Sequence, residues 1–205
     1  MLKVTTVNVN GIRAAAKKDM GQWLKEAKPD ILCLQEVRAP QGDLLALAME
    51  GPIAIPEGWN IYDHEASAKG RAGVAILSKQ PALEVRVDLG PDEFDSAGRW
   101  IEADFQTPSG IFTVVSVYVH SGEVDTPKQV EKYKFLEAMT ERLPLLAAHS
   151  PYALVVGDRR YRDTLSVGGE ASLTLGPQRM VTGFAQVFDH RHAGEDAVRD
   201  ARAVT

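Results

Sequence analysis

The chain has 205 residues, 44% of them hydrophobic and 25% charged, which suits one large soluble globular domain or two small ones. No apolar run approaches the roughly 18 residues a membrane span needs, and Met1-Leu2-Lys3-Val4 leads straight into a strand-like pattern without the regions of a signal peptide, so a cytoplasmic protein is expected. The net charge of −5 argues mildly against a nucleic-acid partner, because duplex affinity comes largely from Lys and Arg neutralising phosphates. A divalent-cation site, however, needs carboxylates, and a small basic rim can coexist with an acidic whole.

Leu2 to Val9 is β-prone and runs into Asn10-Gly11, a turn signal. From Ala14 to Lys28 the apolar residues Met20, Trp23, Leu24 and Ala27 fall at helix-face spacing, and Pro29-Asp30 stops the run. Ile31 to Gln35 reads as a buried strand, short, apolar and bounded by breakers, completing a strand–helix–strand rhythm. Within it Cys33, the single cysteine, is expected as a buried thiol with no disulfide partner. Five more strands are expected at Trp59–Tyr62, Ala72–Leu77, Leu83–Val87, Trp100–Phe105 and Phe112–Tyr118, separated by turn clusters such as Gly90-Pro91-Asp92. Helical spacing returns between Lys128 and Leu143, with Pro144 as its end, and Ala153–Val156 is a last buried strand before Gly157-Asp158. After Asp158 the texture changes. Residues 159–205 hold seven arginines and no lysine, against ten lysines and six arginines before them, and their apolar residues are scattered, with no clear period of two or 3.6 outside Val181 to Val187. Two regions follow: 1–158, and a divergent tail, 159–205.

Polar residues stand at the ends of the expected buried strands: Asn8 and Asn10, Glu36, Tyr118 and Asp158. Strand ends with their turns are where α/β folds assemble sites. A carboxylate at the rim of a core, as Glu36 would be, is expensive unless a cation compensates it, and Mg²⁺ shared with a substrate phosphate is a natural compensator. Taken singly, each residue has an ordinary role open to it. Asn8 and Asn10 suit a turn, Glu36 a helix N-terminus, Tyr118 a core and Asp158 an N-cap. His64, His120 and His149 read as surface or loop residues.

Order and spacing carry more than any single residue. Thr6-Val7-Asn8-Val9-Asn10-Gly11-Ile12-Arg13 resembles the opening segment of exonuclease III-type abasic-site (AP) endonucleases, of the endonuclease/exonuclease/phosphatase superfamily. Leu34-Gln35-Glu36-Val37-Arg38 is similar to their metal-ligand motif, and Gly70–Lys79 to their Gly-rich strand. Gly98-Arg99-Trp100-Ile101-Glu102, Val117–Glu123, Gln129–Phe135 and Val155-Val156-Gly157-Asp158 follow in the family's order. The resemblance spans residues 2–158. It implies a four-layer α/β sandwich, incomplete on its C-terminal side, and a monomer that hydrolyses phosphodiesters at abasic sites and 3′ ends of double-stranded DNA. In it Glu36 would ligate Mg²⁺, or Mn²⁺, with Asn8 helping to orient it or the attacking water. Tyr118 would direct its hydroxyl at the scissile phosphate, Asp158 would orient or deprotonate the water, and Asn10, Arg13 and Arg99 would contact the substrate.

The resemblance then fails. The family continues Gly-Asp-x-Asn, whereas Arg160 stands at the last position, a cation in place of an amide. Neither the family's Arg-Ile-Asp strand nor its C-terminal Ser-Asp-His triplet is present. Asp189-His190 lacks the preceding Ser and reads as a chance tail sequence. The abrupt switch at residue 159 suggests a frame-shifted or substituted C-terminus, an idea that fails if no other frame of the encoding DNA continues with the family's motifs. Activity impaired by that tail is therefore expected. The alternatives are a phosphoesterase of the same superfamily and an inactive, nucleic-acid-binding remnant.

Overall fold

A computed structural model describes residues 2–53, 55, 58–150, 152–159, 170–173 and 181–182. The strands are β1 (Leu2–Asn8), β2 (Ile31–Gln35), β3 (Asn60–His64), β4 (Val74–Ser78), β5 (Glu84–Arg86), β6 (Trp100–Thr107), β7 (Gly110–Val119), β8 (Tyr152–Arg159), β9 (Glu170–Leu173) and β10 (Val181–Thr182). The α-helices are α1 (Ile12–Ala16), α2 (Met20–Ala27), α3 (Gln41–Met49) and α4 (Pro127–His149). They build two five-stranded mixed sheets, in the orders β3-β4-β2-β1-β9 and β10-β8-β7-β6-β5.

Period-two alternation explains the layering. Ile31 and Cys33 of β2 and Val74 and Ile76 of β4 point one way and meet Ile101, Ala103 and Phe105 of β6 and Leu154 and Val156 of β8 between the sheets. Leu32, Leu34, Ala75 and Leu77, on the opposite face, pack with Ile12, Met20 and Leu44 of α1, α2 and α3. On the outer face of the second sheet, Trp100, Val115, Val117 and Val155 pack with Phe135, Met139 and Leu146 of α4. Helices, sheet, sheet and helix give the expected four layers. Cys33 is fully buried and unpaired, and burial pushes its thiol far above the ordinary value. A thiol reagent should therefore leave the native protein unlabelled and titrate Cys33 only after denaturation. Fast native labelling would contradict this packing.

Two local expectations need correction, and one helix was not expected. The single helix expected over 14–28 is two, because Asp19 takes a left-handed conformation (φ 61°) between them. Gly21 then sits so close to the neighbouring loop that a Cβ would lie 2.2 Å from the Pro52 carbonyl oxygen, and a straight helix would lose that fit. Pro144 does not end α4, which runs on to His149. The last turn is anchored by buried Leu146 and by the His149 Nε2 contact with Asp104 at 2.8 Å, which act against the roughly 3 kcal/mol cost of an interior proline. Finally, α3 carries an almost unbroken apolar run, Leu44 to Met49, whose periodicity is invisible in the sequence. Beyond Asp158, β9 pairs antiparallel with β1 and β10 parallel with β8.

Candidate active site

β1 and β2 run parallel in register, with Asn8 opposite Gln35, so both strands finish at one end of the sandwich. The chain leaves β2 through Glu36, Val37 and Arg38 and leaves β1 through Val9, Asn10 and Gly11, and these loops are laced together. The Gly11 N–H donates to the Glu36 carbonyl at 2.7 Å and the Ile12 N–H to that of Val37 at 2.9 Å. On the other side the Val37 N–H donates to Gly73 at 3.0 Å and the Arg38 N–H to Ala72 at 2.9 Å. Asn10, Glu36, Arg38 and Ala72 all have positive φ, between 42° and 52°. Non-glycine residues held there cluster where surrounding structure over-determines the backbone, and such places are often functional.

Among the described residues, Asn8 and Arg38 hold the Glu36 carboxylate, which is 1% exposed. Asn8 Nδ2 donates to its Oε1 at 2.9 Å, and Asn8 Oδ1 accepts the Asn10 N–H at 2.9 Å. Because a backbone N–H can only donate, this turn sets which way the amide faces and aims its NH₂ at Glu36. Arg38 Nη2 donates to Glu36 Oε2. Behind the carboxylate, Gln35 ties the sheets together: its Nε2 donates to Ser116 Oγ at 2.8 Å and its Oε1 accepts from Thr6 Oγ1 at 3.2 Å.

That link brings the remaining strand ends to the same place. Tyr118 lies two residues beyond Ser116 on β7 and packs from the edge against the core between the sheets. β7 and β8 are parallel in register, so the Asp158 backbone stands opposite Tyr118. Gly157 makes the approach possible, since a Cβ there would lie 1.8 Å from the Val117 carbonyl oxygen. Asn8, Glu36, Tyr118 and Asp158 thus share one end of the sandwich.

The residues expected to touch substrate are more dispersed. Asn10 is exposed beside Asn8, while Arg13 pairs with Asp43 at 3.2 Å. Arg99 is tied through Nη1 to Glu131 at 2.9 Å and keeps a buried Nε without a partner among the described residues. Arg160, Asp189 and His190 lie outside the described residues.

Two of the three histidines are buried rather than at the surface, whereas His149 is exposed. His64 is buried, with its ring nitrogens 2.8 Å and 2.7 Å from the Trp100 and Asp95 carbonyl oxygens. His120 is buried beside Arg99 and Glu131, and burial together with the Arg99 charge holds its pKa below the ordinary value. His64 closes β3 and His120 follows β7, and that position at a strand end was the available signal.

A second charged cluster went unforeseen. On the α4 face of β6, Glu102 and Asp104 are 0% and 2% exposed. Arg86 reaches both, with Nε 2.8 Å from Glu102 Oε2 and Nη1 and Nη2 at 2.8 and 2.9 Å from the Asp104 oxygens. Arg142 adds a bidentate grip on Glu102 at 2.7 and 2.8 Å. Among the described residues, Glu84, Asp104 and His149 have metal-ligand spacing, with donor atoms within 4.8 Å of one another. Arg86, Thr113 and His149 already engage the Asp104 oxygens, so the cluster reads as a salt-bridge network in which a guanidinium fills a cation's place.

Residues 5–158 match the Endonuclease/Exonuclease/phosphatase family. The chain belongs to that family. Among its relatives, an exodeoxyribonuclease of Bacillus subtilis (strain 168) is 37% identical over 106 residues, 51% of this chain and 39% of that protein. The DNA repair nuclease APEX1 of Danio rerio is 37% identical over 123 residues, 58% of this chain and 36% of that protein. A solved 3′ phosphatase from Neisseria bound to product DNA hairpin superposes with a TM-score of 0.65 at 28% identity, covering 77% of this chain and 57% of that one. The endonuclease/exonuclease/phosphatase sandwich assigned from the sequence is therefore the right fold, with exonuclease III and AP endonucleases as its relatives. The chain spans between 20% and 57% of the length of five curated relatives that it matches.

Proposed function

We propose that this chain is an exonuclease III-type hydrolase that cleaves phosphodiesters of duplex DNA at abasic sites and 3′ ends, with Mg²⁺ or Mn²⁺ held at Glu36. The observation that carries this reading is the Asn8–Glu36 pair at the strand ends. A carboxylate this buried, aimed by an amide and already facing a cation in Arg38, has the donor chemistry for a hard divalent ion. Mg²⁺ asks for only one or two protein carboxylates, so one well-fixed Glu suffices to begin the site. When bound, the ion supplies charge neutralisation on the phosphate and a more acidic water.

The chain's own residues do the rest. Asn8 holds the Glu36 carboxylate in one orientation. The Tyr118 hydroxyl is assigned to the scissile phosphate, and Asp158 to the water's proton as general base. Asn10, Arg13 and Arg99 belong in this proposal as substrate contacts. For Arg99 and Arg13 that requires release from Glu131 and Asp43. The protein is proposed to act as a cytoplasmic monomer, and no helix among the described residues is long and apolar enough to cross a membrane.

A duplex carrying one abasic site, incubated with the purified chain, tests this. Strand cleavage with Mg²⁺ and none with EDTA is expected. Phosphate released from a 3′-phosphorylated strand without backbone cleavage would move the assignment to a phosphoesterase of the same fold, in keeping with the 3′ phosphatase neighbour. Binding without either reaction would identify a DNA-binding remnant.

A further inference from the structure

We infer that Arg38 is a built-in competitor for the divalent cation at Glu36, a positioning residue that keeps the carboxylate in place and sets metal affinity lower than the ligands alone would give. This rests on the reading of Glu36 as a metal ligand.

The geometry of the turn makes the competition. Glu36 and Arg38 both have φ of 52°, and the loop is pinned by the N–H of the buried Val37 between them on Gly73 and by the Arg38 N–H on Ala72. Two such residues flanking one fixed residue turn the guanidinium back onto the carboxylate, an ion pair between positions only two apart in sequence. The pair is asymmetric. Glu36 is 1% exposed, whereas Arg38 keeps 39% of its side chain in solvent. With Asn8 holding Oε1 from inside, Arg38 engages Oε2 from the solvent side, the side from which an ion must arrive. Two cations on one carboxylate edge repel each other. The guanidinium can swing outward without being desolvated, whereas the carboxylate has nowhere to go. By linkage, whatever factor Arg38 contributes to the metal-free carboxylate is the factor by which it weakens metal binding.

An ordinary supporting role predicts the opposite sign. A side chain that merely orients a metal ligand raises affinity, and its loss weakens binding by about 10- to 100-fold. Mn²⁺ titration of the full chain, followed by electron paramagnetic resonance, separates the two. Arg38→Met is expected to bind Mn²⁺ about tenfold more tightly than the parent, equivalent to about 1.4 kcal/mol. Arg38→Lys, which keeps a cation, should stay near the parent. Arg38→Gln is read in the same way should Arg38→Met fail to give a native circular dichroism spectrum. In EDTA the neutral variants should melt below the parent, and saturating Mn²⁺ should restore them. Unchanged or weaker Mn²⁺ binding by a folded neutral variant overturns the inference while leaving Glu36 a ligand. Absence of Mn²⁺ binding by the parent, or full binding by Glu36→Gln, overturns the metal reading itself.

Discussion

Replacing Glu36 by alanine is expected to lower metal-dependent cleavage of an abasic duplex by about a thousandfold, the rate equivalent of about 4 kcal/mol of lost transition-state stabilisation. It should be the most damaging single change in the chain. Folding explains little of such a loss. The buried Asn8 amide loses one acceptor, at a cost of about 1–3 kcal/mol, and Arg38 is already part-exposed and free to turn to water. The native circular dichroism spectrum should therefore survive while activity does not. Comparing cleavage rates of parent and Glu36→Ala over a Mg²⁺ series measures this directly. A variant with full metal-dependent activity would remove Glu36 from the chemistry, and with it the reason for grouping Asn8, Tyr118 and Asp158 around it.

How much of this was readable in advance depends on how local each cause is. β2 was legible to the residue because five consecutive buried residues, bounded by Pro29-Asp30 and by Glu36, leave a short strand as the natural solution. β7 was legible to within two residues at each end, from the β-branched run Val114-Val115-Ser116-Val117. That Asn8 and Glu36 meet was implied only by resemblance, because the hydrogen bond joins positions 28 apart and depends on the parallel register of β1 and β2. The Arg38–Glu36 pair was hidden for a different reason. Positive φ at two non-glycine residues is set by the loops that grip them, and nothing in Glu-Val-Arg announces it. The Arg86 network carried a signal that was passed over. Glu102 and Asp104 alternate with Ile101, Ala103 and Phe105 on a strand, and such alternation reads as a solvent face until α4 is laid across it.

That network yields the second large effect. Arg86→Met should destabilise the fold by about 3–5 kcal/mol, since removing one partner leaves buried charge short of its counter-ion. For a domain of this size the melting temperature should fall by about 10 °C. Glu102 keeps Arg142, so most of the deficit lands on Asp104, to which Arg86 donates twice. The pH dependence has a definite sign. Burial alone would raise the Asp104 pKa, but hydrogen bonds from Arg86, Thr113 and His149 outweigh it and hold the group below its ordinary value of 3.8. A carboxyl depressed on folding contributes its stability fully above its unfolded pKa and loses it as pH falls through the lower, folded value. Parent stability from this group should thus be intact at neutral pH and decay below about pH 4. In Arg86→Met that acid decay should shrink, because the main cause of the depression is gone and its stability is already missing at neutral pH. Thermal melts of both proteins between neutral and acid pH would show it. Curves that stay parallel, or an Arg86→Met midpoint within about 2 °C of the parent, would mean that Asp104 does not depend on Arg86.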